Sequence, residues 1–143
     1  MSTKESFDSA EGALLRARLH LRGARRRLKE GKISAGIITL FDALIFGLRF
    51  YFMVPEHRAY HGLDHALDLT DERAMINVLK NAEGFPSSFD IEAFEEIVDR
   101  ASAGDMPDYD YRPLLESFEA LMLKIEVMPF DESSLPKEDP STF

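Results

Sequence analysis

Cysteine is absent from all 143 residues of this chain, which excludes disulfides, thiolate metal sites and cysteine nucleophiles and suits a reducing cytoplasm. No stretch alternates apolar and polar residues as a strand does, and no segment repeats at a solenoid period, so the pattern points to an all-α fold. There is no phosphate-cradling glycine loop and no serine elbow, and the aspartates at 105, 108 and 110 lack the twelve-residue calcium-loop pattern and read as turn and capping residues. The opening MSTKESFDSAEG has no basic segment followed by an apolar one; it is not read as a signal peptide, and a cytoplasmic location is expected.

What is present is organised around Ile33 to Val54, where only Ser34, Thr39, Asp42 and Arg49 are clearly polar. A helix this apolar needs partners on most sides. About 20 such residues would also span a bilayer, but a charge near the bilayer centre costs about 2.5 to 3.5 kcal/mol, so Asp42 and Arg49 favour a core helix and no membrane partner is expected. Those two residues lie two turns apart on nearly one face, where each can meet a polar group on a neighbouring helix. Gly36, Ala43 and Gly47 are small positions that let another backbone approach.

One domain spanning residues 1–130 is expected, since a chain of this length buries about two-thirds of its unfolded surface. The formal charge of -9 is unevenly spread. Residues 1–32 hold nine Lys/Arg against four Asp/Glu, about +5, and the remainder holds eight against twenty-two, about -14. That asymmetry favours docking between segments or subunits, and the acidic total disfavours nucleic acid as a partner.

In chain order, the first helix is predicted from Ser9 to Glu30 with Gly31 as its stop. Phe7, Leu14, Leu21 and Leu28 recur every seven residues, each followed three later by Ala10, Ala17, Ala24 and Gly31, a seam of large and small layers for a close antiparallel neighbour. Ser34 is the expected cap of the second helix, which Pro55 stops near Val54. Residues 55–69 read either as a loop with a short helix or as the start of a longer third helix, with Thr70 an alternative start and Gly84 the end. A fourth helix is predicted from Ile91 to Ala103, capped by Ser88 or Asp90, and a fifth from Leu114 to Val127, ended by Pro129. Residues 131–143 are expected to be disordered unless a partner binds them. The sum is an up-and-down bundle of four to five helices around the apolar helix 33–54.

The hairpin ARLHLRGARRRLKEGKISAGIITLFDALIFGLRFYF, from Ala17 to Phe52, resembles the start of HEPN domains, the higher eukaryotes and prokaryotes nucleotide-binding family, and of related nucleotidyltransferase substrate-binding bundles. Ala35, Phe41, Ala43 and Leu44 carry the spacing of its second helix, and the likeness covers about a quarter of the chain. A tetratricopeptide hairpin fits the same residues, but about three such repeats are needed for a stable stack. The resemblance implies a helical bundle, often dimeric, that assists a nucleotidyltransferase or serves as a non-catalytic scaffold. Many HEPN domains are ribonucleases with an arginine, a polar residue and a histidine a few positions on. Arg58 and His65 are the candidates that the resemblance suggests, with Ala59 in place of the polar residue and the pair earlier in the chain than the family places it.

Two clusters invite chemistry directly. His57, His61 and His65 are spaced by four, and two such imidazoles plus a carboxylate could hold a divalent metal; Gly62 interrupts the segment, and the alternative is a histidine cluster at the surface or an interface. Arg18, Arg22, Arg25, Arg26 and Lys29 flank the seam of the first helix and could grip phosphates of RNA or a nucleotide. No aromatic residues are interleaved to stack bases, so the preferred reading is a solvated stripe or one paired with the acidic fourth helix. His20, on the same helix, packs or is solvated. The leading expectation is a non-enzymatic interaction bundle without cofactor, acting as a homodimer or on a protein partner, ahead of a HEPN-type nuclease or nucleotide-binding protein and of a metal-binding bundle.

Overall fold

The computed structural model describes residues 9–63 and 67–138. The described residues form an all-α bundle of six helices and one short 3-10 turn, with no strand among them. Helix α1 runs Ala10–Lys29, and Ser9 caps it by accepting the Gly12 N–H at 3.0 Å. At its other end Gly31 takes φ +82, so that Lys32 N–H reaches back to Arg27 O at 2.9 Å and closes the last turn. Ala17, Leu21, Ala24 and Leu28 are all at most 1% exposed, so the middle of the predicted seam is buried in the hairpin, while Ala10 and Leu14 are partly exposed and Gly31 is exposed; Phe7, its first member, lies outside the described residues.

Helix α2, Ile33–Met53, packs against each of the other five helices. Ser34 is not its cap. The helix begins one residue earlier, at Ile33, and the Ser34 hydroxyl instead donates to Gly104 O at 2.6 Å, joining this helix start to the end of α5 (Ile91–Ala103). Val54 is extended, as a residue before proline must be, and Pro55 opens the short helix α3, Pro55–Tyr60. Gly62 at φ +66 ends α3, with Leu63 N–H on Arg58 O at 2.8 Å. The short-helix alternative is therefore the one adopted.

Helix α4, Glu72–Asn81, is capped by Asp71, which accepts from Ala74 N–H at 3.0 Å. Thr70, the alternative start, instead donates its hydroxyl to Asp68 at 2.7 Å. The helix stops before Gly84 because Glu83 takes the left-handed conformation, φ 53, and Gly84 N–H bonds Leu79 O at 2.7 Å. Of the two expected caps of helix α5, Ser88 and Asp90, it is Asp90 that accepts from Ala93 N–H. Helix α6 occupies Arg112–Lys124, not 114–127; Glu126 at φ 71 lets Val127 N–H close onto Met122 O at 2.9 Å, well before Pro129. Ile125 and Val127 still contribute fully buried side chains. Beside α2, Phe94 lies 5.4 Å from both Phe89 and Phe118, ring centre to ring centre, so α5, α6 and the turn before α5 share one aromatic core.

By length and composition α2 could cross a membrane, yet 56% of its most apolar window is buried inside the bundle. It is not covered all round. Ala35, Ile38, Asp42, Phe46, Arg49 and Met53, at helical spacing, remain outside the buried set, with Ile38 37% exposed. Of the two charges, Arg49 donates to Leu69 O at 3.0 Å, in the segment entering α4. Burial first, and the Glu72 charge second, raise the pKa of Asp42, while Arg16 opposes both.

Candidate functional site

The arginines of α1 project from a regular helix away from its Leu/Ala seam, and the end of the chain returns to meet them. Arg18 Nε donates to Val127 O at 2.9 Å, and Arg22 to Pro136 O at 2.8 Å. Arg25 pairs with Glu119 of α6 and with Glu132 at 2.9 Å, and Arg26 pairs with Glu138 at 2.6 Å and Glu30 at 2.9 Å. The ring of Phe130 lies 5.2 Å from the Arg18 guanidinium and 5.9 Å from that of Arg25. Lys29 is exposed at the end of the row. Residues 131–138, expected as part of a disordered tail, lie along α1, with Glu132–Ser134 wound into a 3-10 turn that Asp131 caps. Residues 139–143 lie outside the described ones.

The row was expected to be solvated or to pair with the acidic fourth helix; within this chain its described carboxylate partners are instead Glu30, Glu119, Glu132 and Glu138. The acidic face of α5 serves α4 instead, through Arg73 with Glu95 and Lys80 with Glu92. Burial lowers the Arg18 pKa, whereas the hydrogen bond that Arg26 donates to Glu138 raises that of Arg26. An open pocket of about 360 Å³ is lined by Arg22, Arg25, Arg26, Lys29 and Glu30 from the helix side and by Glu132 and Glu138 from the strap.

The histidines divide. His57 has both ring nitrogens engaged, Nδ1 on Tyr51 O at 2.7 Å and Nε2 on Glu126 at 2.9 Å, and its ring stacks on Tyr51 at 3.9 Å. His61 Nε2 shares a 3.0 Å hydrogen bond with the Tyr51 hydroxyl. Burial, then the neighbouring His57, lowers the His61 pKa, and burial raises that of Tyr51. The third member, His65, lies outside the described residues, and among the described residues no group of three or more His, Asp or Glu is placed to hold a metal ion. Arg58 is half-buried on α3, and its nuclease partner would again be His65.

A third cluster sits where α1 crosses the open stripe of α2. His20 is 9% exposed and stacks on Phe46 with ring centres 5.4 Å apart. Phe46 also has the Arg16 and Arg49 guanidinium groups at 5.2 and 5.0 Å. Burial, with Arg16 and Arg27 nearby, pushes the His20 pKa down to about 4, so the ring is neutral at pH 7. Sequence reasoning did not single out Arg16 or Phe46; their convergence depends on the crossing of two helices. No family model, curated protein or solved structure matches this chain.

Proposed function

We propose that this chain is a non-enzymatic helical-bundle interaction protein of HEPN-like type that works as a homodimer through the open stripe of α2. The observation that carries this is the stripe itself: Ala35, Ile38, Phe46 and Met53 continue one helical face of the central helix and are left partly or wholly uncovered by its own fold. Within the stripe Asp42 stands one turn from Phe46, which has Arg16 and Arg49 beside it, so the patch holds both signs of charge around an apolar centre. A two-fold interface requires such self-complementarity, because each patch must face its own copy. Commitment of Arg18, Arg22, Arg25 and Arg26 to internal carbonyls and carboxylates supports this reading over phosphate binding.

The test is Ile38→Glu, which places a charge on an already exposed position. The variant is expected to melt like the parent and to weaken self-association by at least tenfold. Equal association of parent and variant removes the stripe as the contact. The nuclease reading, which uses Arg58 and His65, replaces this one if the protein shortens RNA and Arg58→Ala abolishes the cleavage.

A further inference from the structure

We infer that the arginine face of α1 is a docking groove for an acidic segment of a partner protein, and that residues 131–138 fill it in cis as an internal stand-in. Both the acid groups and the backbone of the strap are read. Arg25 and Arg26 take the carboxylates of Glu132 and Glu138, six positions apart, while Arg22 takes the main-chain oxygen of Pro136 between them. Arg18 is held by Val127 O, on the fully buried residue that follows α6, and so belongs to the fixed wall of the groove. Contacts to side-chain carboxylates and to a main-chain carbonyl together are what an acidic polypeptide offers. A phosphate chain offers no such carbonyls, and no aromatic ring of the groove is free for a base, since Phe130 already lies against Arg18 and Arg25.

The strap is held as something exchangeable would be held. Glu132 and Glu138 keep side-chain exposures of 48% and 21%, and residues 131–138 contribute no fully buried side chain. Ion pairs this open contribute little individually and weaken with salt. The open pocket of about 360 Å³ beside the strap leaves Arg22, Arg25, Arg26 and Lys29 approachable by a second chain. The tether keeps the strap at a high local concentration, so a competing segment must be present in excess or offer better contacts. This inference does not depend on the α2 stripe: the groove and the stripe use different residues, and each can fail alone.

The experiment titrates a fluorescent peptide of residues 127–138 into full-length protein at low salt. Parent, Glu132→Gln, Glu138→Gln and the double variant are compared, each checked for an unchanged melting curve; the single variants keep the test open if the double one misfolds. Loosening the strap is expected to tighten peptide binding by about tenfold in the double variant, through two exposed ion pairs. Adding Arg25→Gln to the double variant is expected to abolish that gain, and raised salt to suppress it. Equal peptide binding by parent and all strap variants overturns the inference. So does a double variant that gains affinity for a single-stranded RNA of matched length and none for the peptide.

Discussion

Gly36 and Leu28 face each other across the α1/α2 hairpin, and their coupling can be predicted from the packing. A methyl group added at Gly36 would come within 2.6 Å of Leu28 Cγ, 2.7 Å of Cδ2 and 3.2 Å of the Leu28 backbone nitrogen. Leu28 is 1% exposed and cannot swing into solvent. Helix propensity alone favours alanine over glycine by about 1 kcal/mol, but overpacking a filled site costs about 1 to 3 kcal/mol. The steric effect wins, so Gly36→Ala is expected to lose about 1 kcal/mol net, and more if α2 must shift as a whole. Leu28→Ala removes the obstacle and leaves a cavity, at a cost of about 2 to 5 kcal/mol. In the double variant the new methyl enters that space, so the combined loss should fall short of the sum by at least about 1 kcal/mol. Urea unfolding of the four proteins at fixed pH measures the cycle from the midpoints, provided the slopes agree. Additivity within about 0.5 kcal/mol, or a Gly36→Ala variant more stable than its parent, would refute this picture of a close-packed hairpin.

The lowered pKa of His20 makes stability depend on pH. The unfolded chain binds that proton near pH 6.5 and the folded one only near about 4, so stability is full above 6.5 and falls as the pH drops between those values. Raised by burial, Asp42 acts in the opposite sense, stabilising below its ordinary value of 3.8 and losing that contribution as the pH rises through its folded value. Comparing the parent with His20→Phe isolates the first effect, at most about 3 kcal/mol and nearer 1 with residual solvent access; parallel pH profiles would contradict it. Ala24→Leu, at a position with no exposure, should cost about 1 to 3 kcal/mol in the same unfolding assay, and no loss would argue against the seam. Arg25→Gln removes the pairs to Glu119 and Glu132, with an expected loss of about 1 kcal/mol that shrinks in high salt; a salt-independent loss would assign Arg25 a packing role instead.

Helices α1, α2 and α5 were legible because their signals are local. Ser9, Gly31, Pro55 and Asp90 act within a few residues of themselves, and apolar spacing names the buried faces. The ends of α4 and α6 escaped because Glu83 and Glu126, not glycines, take the left-handed conformation there. Nothing in the composition distinguishes those glutamates from others. The strap escaped for a different reason: Arg25 and Arg26 find Glu132 and Glu138 across 107 and 112 residues of chain, while the tail's polarity and prolines gave the local signature of disorder. Its only sequence signal was the split between a basic first segment and an acidic remainder, which forecast docking without naming the partner. The open stripe of α2 was hidden too, since an apolar residue does not announce whether its own fold will cover it.

The proposal stands or falls on whether the molecule associates with itself, and the solution mass from sedimentation equilibrium over a wide concentration range tests that most directly. A dimer through the α2 stripe predicts a mass rising to twice the chain's 16.2 kDa, with Ile38→Glu holding it near the single-chain value. A parent protein that remains at 16.2 kDa throughout would contradict the account.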